Sequence, residues 1–180
     1  MELKKRLTPE VETLLNERLK AEYLSVTLFE GIANWCNCYG FMKAKDVFRQ
    51  YADEELSHAR RLADYMLDRC GNPKIGVLPE QPSDYKSLLD VVVKAYDHAI
   101  LITEGYNKLA KQLLAVGDHV TYKMVQWYLK DQVHEEVIYA DAITFANRLG
   151  LTDDSKGVEW KALEHFLGNN LNKPCKKCGK

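Results

Sequence analysis

The chain contains no hydrophobic run approaching about 18 residues, and its opening, M-E-L-K-K-R-L-T-P-E, has no apolar core like that of a secretory signal. Neither a membrane span nor export is expected, and the reading places the protein in the cytoplasm. A basic surplus is also missing. The 25 Lys+Arg against 26 Asp+Glu give a formal net charge of −1, which argues against nucleic acid as the main partner, because phosphate binding needs a positive surplus or patch. A disulfide framework is absent too: Cys36, Cys38, Cys70, Cys175 and Cys178 are odd in number and irregular in spacing. Free thiols in a reducing compartment are expected. No internal repeat or low-complexity tract is present, which removes solenoid architectures. What remains is 180 residues with 46% hydrophobic and 28% charged content, enough for one domain with a real core.

Thr8 as N-cap and Pro9 at the first helical position open a long helix that ends near Cys38, where Gly40 supplies a stop. A second helix is expected from about Phe41 to Cys70, with Gly71 placed to cap it. Residues 71–86, G-N-P-K-I-G-V-L-P-E-Q-P-S-D-Y-K, form the one long break. The second helix would be about 45 Å long, and about 15 extended residues reach roughly 50 Å, so the break can return along the bundle. The third helix would then start parallel to the second. Ser87 and Asp90 make a near capping box for that third helix, about Leu88 to Val116. Gly117 and Asp118 stop it and cap a fourth, about His119 to Leu149, and a short amphipathic helix follows from about Val158 to Leu167. The fold class is therefore all-α: a four-helix bundle with a long crossover between its second and third helices and a short fifth helix. Residues 1–170 read as one domain, and 171–180 as a polar tail carrying C-K-K-C-G.

The apolar stripes of these helices are interrupted at matching places. In the second helix Phe48, Tyr51, Glu55, His58, Leu62 and Tyr65 share one face, so a carboxylate and an imidazole break an apolar row. Glu at i and His at i+3 project side by side, the spacing with which di-iron carboxylate bundles hold metal. Glu22 stands mid-stripe in the first helix, and Gln132 and Glu135 in the fourth. An unpaired ion in a packed interior costs several kcal/mol, so carboxylates at one level imply cations between them. Oxygen ligands with one imidazole suit a pair of first-row divalent metals: iron, manganese or zinc. Two Fe(II) ions could each give an electron to dioxygen, which points to oxidation rather than hydrolysis. The third helix offers no ionisable group at that level, where Ala99 stands.

The motifs K-A-E-Y-L-S and N-W-C in the first helix, D-E-E-L-S-H-A in the second, N-K-L-A in the third and Q-W-Y-L-K-D-Q-V-H-E-E in the fourth resemble those of non-haem bacterial ferritins, over nearly the whole chain. The resemblance implies a first-site glutamate and histidine at Glu22 and His58, a bridging glutamate at Glu55, and second-site neighbours at Gln132 and Glu135. It implies a third, interior-facing iron site at Glu54, Asp131 and His134. It further implies a ferroxidase that oxidises Fe(II) with dioxygen or hydrogen peroxide inside a 24-subunit homo-oligomeric shell storing ferric oxide. Haem is not expected, because Leu56 stands where haem-binding relatives place methionine.

Two departures qualify that picture. The family's third-helix glutamate is Ala99 here, so the second iron site is expected to be weak. The tyrosine usually beside the centre is Phe29. In the fourth helix, Asp131 and His134 also have the acid-x-x-His spacing, and because adjacent residues differ by about 100° around a helix, they compete with Gln132 and Glu135 for the inward face. The tail's C-x-x-C is half of a zinc knuckle at most. Two alternatives to the ferroxidase remain: a shell subunit without oxidase activity, or a di-iron oxidase or peroxidase of the rubrerythrin kind.

Overall fold

A computed structural model describes residues 5–170 of the chain. The expected tail, with Cys175 and Cys178, lies outside the described residues. Those residues form five α-helices and no strand: α1 Pro9–Cys38, α2 Met42–Asp68, α3 Leu88–Ala115, α4 His119–Arg148 and α5 Val158–Asn170. None is long and apolar enough to cross a membrane.

The helix starts follow their side-chain caps. Val11 N–H donates to Thr8 Oγ1 at 3.2 Å, Asp90 N–H to Ser87 Oγ at 3.0 Å and Thr121 N–H to Asp118 Oδ1 at 3.0 Å, each satisfying an orphan donor of a first turn. Asp90 also accepts from the Lys86 N–H at 3.1 Å. The end of α2 differs from expectation. Cys70, not Gly71, takes the left-handed position, with φ 56, and α2 stops two residues early at Asp68. Gly71 N–H donates to Met66 O at 2.8 Å, closing a Schellman turn in which Cys70 is the unfavourable residue. Gly71 is required for space instead: a Cβ there would lie 2.8 Å from Leu7 Cδ1 and 3.0 Å from Met66 O.

The crossover runs along α1. Asn16 Nδ2 donates to Asn72 O at 3.2 Å, Lys74 N–H donates to Asn16 Oδ1 at 2.6 Å, and Pro82 O lies 3.6 Å from where a Cβ on Gly31 would stand. Two apolar cores result. One gathers Phe29, Ile32, Phe48, Val92, Ala95, Tyr139 and Ala142 with Leu163 and Leu167 of α5; the other gathers Leu15, Leu19, Leu62, Met66, Tyr106, Leu113, Val125 and Tyr128. Helices α2 and α3 both run from the first core to the second, and α1 and α4 from the second to the first, so α3 starts parallel to α2. Between the cores lies a layer of buried polar side chains: Glu22, Ser25, Glu55, His58, Gln132 and Glu135.

Candidate metal centre

Three helices deliver this layer. Glu22 from α1, with 1% exposure, and Glu55 from α2, with 3%, face one another, and His58 stands one turn from Glu55 on the same face of α2. His58 Nδ1 is 3.6 Å from Glu55 Oε2 and 3.8 Å from Glu22 Oε2, while Nε2 is 3.3 Å from Asp131 Oδ2. One ligand atom from each of Glu22, Glu55 and His58 falls within 4.8 Å of the others, and the same holds for His58, Asp131 and Glu135. The two groups share the imidazole.

Asp131 and Glu135 therefore join one group, although they belong to the two competing registers. Gln132 and Glu135 are the buried pair of α4, while Asp131 and His134 are half-buried. A half-turned carboxylate is long enough to reach His58 from the flank. Thr103 of α3 donates toward Gln132 Oε1 at 3.2 Å and Glu136 Oε1 at 2.5 Å, which ties α3 to α4 at this level. Glu54 is exposed at the rim, with Gln50 Nε2 donating to its Oε1 at 3.2 Å.

The sequence reading passed over one contributor. Tyr106 of α3, with 0% exposure, donates its hydroxyl to Glu22 Oε1 at 2.6 Å, and its ring stacks on Tyr128 with centroids 4.6 Å apart. Its signal was its place on the same face as Ala99, because helical side chains lean toward the helix N-terminus and so carry a long phenol back over the preceding turn, to the level of Thr103. Tyr128 in turn donates to the His58 carbonyl oxygen at 2.9 Å, and Trp127 meets the His58 ring edge-on at 5.2 Å. The Arg61 guanidinium covers Trp127 from outside at 4.1 Å.

The electrostatics follow from burying acids together. Burial, and then the charge of Glu55, pushes the Glu22 carboxyl up to about 8 against the opposing pull of His58 and the Tyr106 hydrogen bond. Burial, and then the charge of Asp131, pushes Glu55 up to about 8 as well. Glu135 rises well above the ordinary carboxylate range, from burial and then the charge of Glu55. Glu55 Oε2 is buried and accepts no hydrogen bond. Acids that hold their protons at neutral pH, with one carboxylate oxygen uncompensated, are a donor set that a divalent cation would complete.

The chain matches the Ferritin-like domain family over residues 12–148. It belongs to the ferritin family. Over 147 residues it is 32% identical to a bacterial non-heme ferritin of Escherichia coli, across 80% of this chain and 89% of that relative. A probable bacterial non-heme ferritin-like protein of Haemophilus influenzae is 30% identical over 163 residues, covering 91% and 96%. Among solved structures, an open pore ferritin of the archaeon Archaeoglobus fulgidus superposes with a TM-score of 0.85 at 25% identity, covering 92% of this chain and 99% of that one. Ferritin membership and the bundle support iron storage as the coarse function, and iron as the ion that a carboxylate and imidazole group here would hold.

Proposed function

We propose that this ferritin is a ferroxidase subunit: it binds Fe(II) as substrate within the bundle, passes its electrons to dioxygen or hydrogen peroxide, and stores the ferric product in a homo-oligomeric shell of 24 copies in the cytoplasm. The observation that carries this reading is the convergence of Glu22, Glu55 and His58, from two helices, within 4.8 Å at the polar level between two apolar cores of the described residues. Glu22, Glu55 and His58 hold the first ion. Glu55 bridges toward a second, which Gln132 and Glu135 flank, and Glu54, Asp131 and His134 form the outer site through which iron passes toward the shell interior. No haem is involved.

Oxidation by dioxygen balances as two Fe(II) giving one electron each, with two protons taken up, to yield two Fe(III) and hydrogen peroxide. The protein's part is to gather the ions and to release carboxyl protons as they bind. The surrounding cores exclude water, which strengthens each charge interaction inside. Aerobic mixing with two Fe(II) per chain, followed by ferric absorbance and oxygen consumption, tests the activity, and sedimentation of the assembly tests the shell. Oxidation no faster than in buffer, abolished no further by Glu55→Gln, would instead favour the reading as a shell subunit without oxidase activity, for which Ala99 is the supporting observation.

A further inference from the structure

Two buried polar atoms near the layer engage no hydrogen-bonding partner: Glu55 Oε2 and the Tyr139 hydroxyl. Tyr139 has 0% exposure and lies one turn after Glu135 on α4. Because a helical side chain leans toward the N-terminus, its phenol is carried back over the preceding turn, toward Glu135. Its ring is walled by Phe29, stacked at 6.5 Å, and by Tyr51 at 5.8 Å. Burial first, then the neighbouring Tyr51 hydroxyl and the negative charge of Glu135, Glu55 and Glu54, keep that hydroxyl protonated, hence a donor. Tyr106 provides the comparison. It leans in from the opposite end on α3 and finds Glu22, whereas Tyr139 finds no acceptor. Native interiors seldom leave such a group alone unless an ion or solvent completes it. On α3, Ala99 presents only a methyl group, and the polar side chains around it are already engaged: Tyr106 with Glu22, Thr103 with Gln132 and Glu136, and His98 with Ser25.

We propose that Tyr139 is a binding residue of the second half of the centre: its hydroxyl donates a hydrogen bond to a solvent or carboxylate oxygen held by a second divalent ion beside Glu55 and Glu135, in the role that Ala99 leaves unfilled. This rests on the reading of Glu22, Glu55 and His58 as metal-holding. The donated proton fixes one lone pair of that oxygen and leaves the other for the ion. Tyr139 thus acts on the second ion and not on the first.

The test is titration of the metal-free, full-length protein with Co(II), followed by its visible absorption, in the wild type and in Tyr139→Phe. The wild type takes up two ions per chain, one tightly and one more weakly. In Tyr139→Phe the first affinity is unchanged and the second falls about tenfold, as for loss of a hydrogen bond to a charged group. The metal-free variant melts higher by about 2–4 °C, because an unsatisfied buried hydroxyl has been removed. Unchanged binding of both ions in Tyr139→Phe, or a lower melting temperature of the metal-free variant, overturns the assignment. A wild type that takes up no cobalt refutes the centre itself and this role with it, whereas two ions bound equally by both proteins refute the role alone.

Discussion

Loading the centre should release protons in numbers that the pH sets. Glu22 and Glu55 each titrate near about 8 in the metal-free protein, because burial and neighbouring negative charge disfavour ionisation. Below about pH 7 both carboxyls hold their protons for the most part. A first Fe(II) seated between the two carboxylates must therefore displace about two protons at pH 6.5, and its apparent affinity should rise about 100-fold per pH unit up to about 7 before levelling above 8. Anaerobic calorimetry in two buffers of different ionisation enthalpy counts those protons directly. Glu55→Gln should reduce the count to about one. Stability carries the same signature without metal. Folding raises both carboxyls from 4.5 to about 8, so the native state holds protons that the unfolded chain has released. The contribution is fully present below about 4.5 and is lost as pH rises to about 8, with a slope opposite to that of ordinary salt-bridged carboxylates. Melting in the presence of a chelator reads it, and Glu22→Gln with Glu55→Gln should flatten it. A proton count near zero at pH 6.5 would refute the argument, since the carboxylates would then be ionised before any ion arrived.

Other outcomes follow from single contacts. Tyr106→Phe leaves Glu22 Oε1 without its 2.6 Å donor and should cost about 1–3 kcal/mol in chemical denaturation while weakening the first Fe(II) at pH 7. Ala99→Glu adds one more buried acid, so it should lower the melting temperature of the metal-free protein and raise that of the Co(II)-loaded one, with tighter binding of the second ion. Cys70→Gly should stabilise by up to about 1 kcal/mol by relieving a left-handed residue, whereas Gly71→Ala should destabilise by about 1–3 kcal/mol, because its Cβ would press on Leu7 and the Met66 carbonyl. Guanidinium unfolding of the two variants separates these opposite signs.

The features legible in the sequence were those with local causes. Thr8, Ser87 and Asp118 cap their helices through side chains within three residues, so their positions could be read directly. The crossover along α1 followed from reach alone, and the polar level from stripes that place Glu22, Glu55 and Gln132 at matching heights. What escaped depended on direction or on neighbours distant in sequence. Gly71 looked like the cap of α2, but Leu7, far away in the chain, claims the space beside it, and Cys70 takes the turn instead. A strict alternation of four and three from Leu15 through Leu19 and Glu22 would put Val26 inward, yet Val26 is half-buried while Ser25 is fully buried, because a 3.5-residue repeat drifts against a 3.6-residue turn. Asp131 and Glu135 were treated as rivals because a helical wheel records angles and ignores side-chain length.

The single imidazole shared by two acidic groups imposes a choice. Neutral His58 owns one lone pair, and its two ring nitrogens look in different directions, Nδ1 toward Glu22 and Glu55 and Nε2 toward Asp131. An ion taken by Nδ1 fixes the tautomer, so that Nε2 carries hydrogen and Asp131 Oδ2 becomes its acceptor, which leaves only the other carboxylate oxygen of Asp131 for an ion further out. Asp131 and Glu135 would then receive iron only without help from the ring. An ion at the inner position would in that sense withdraw, through the tautomer, the nitrogen that could have detained a second ion further out.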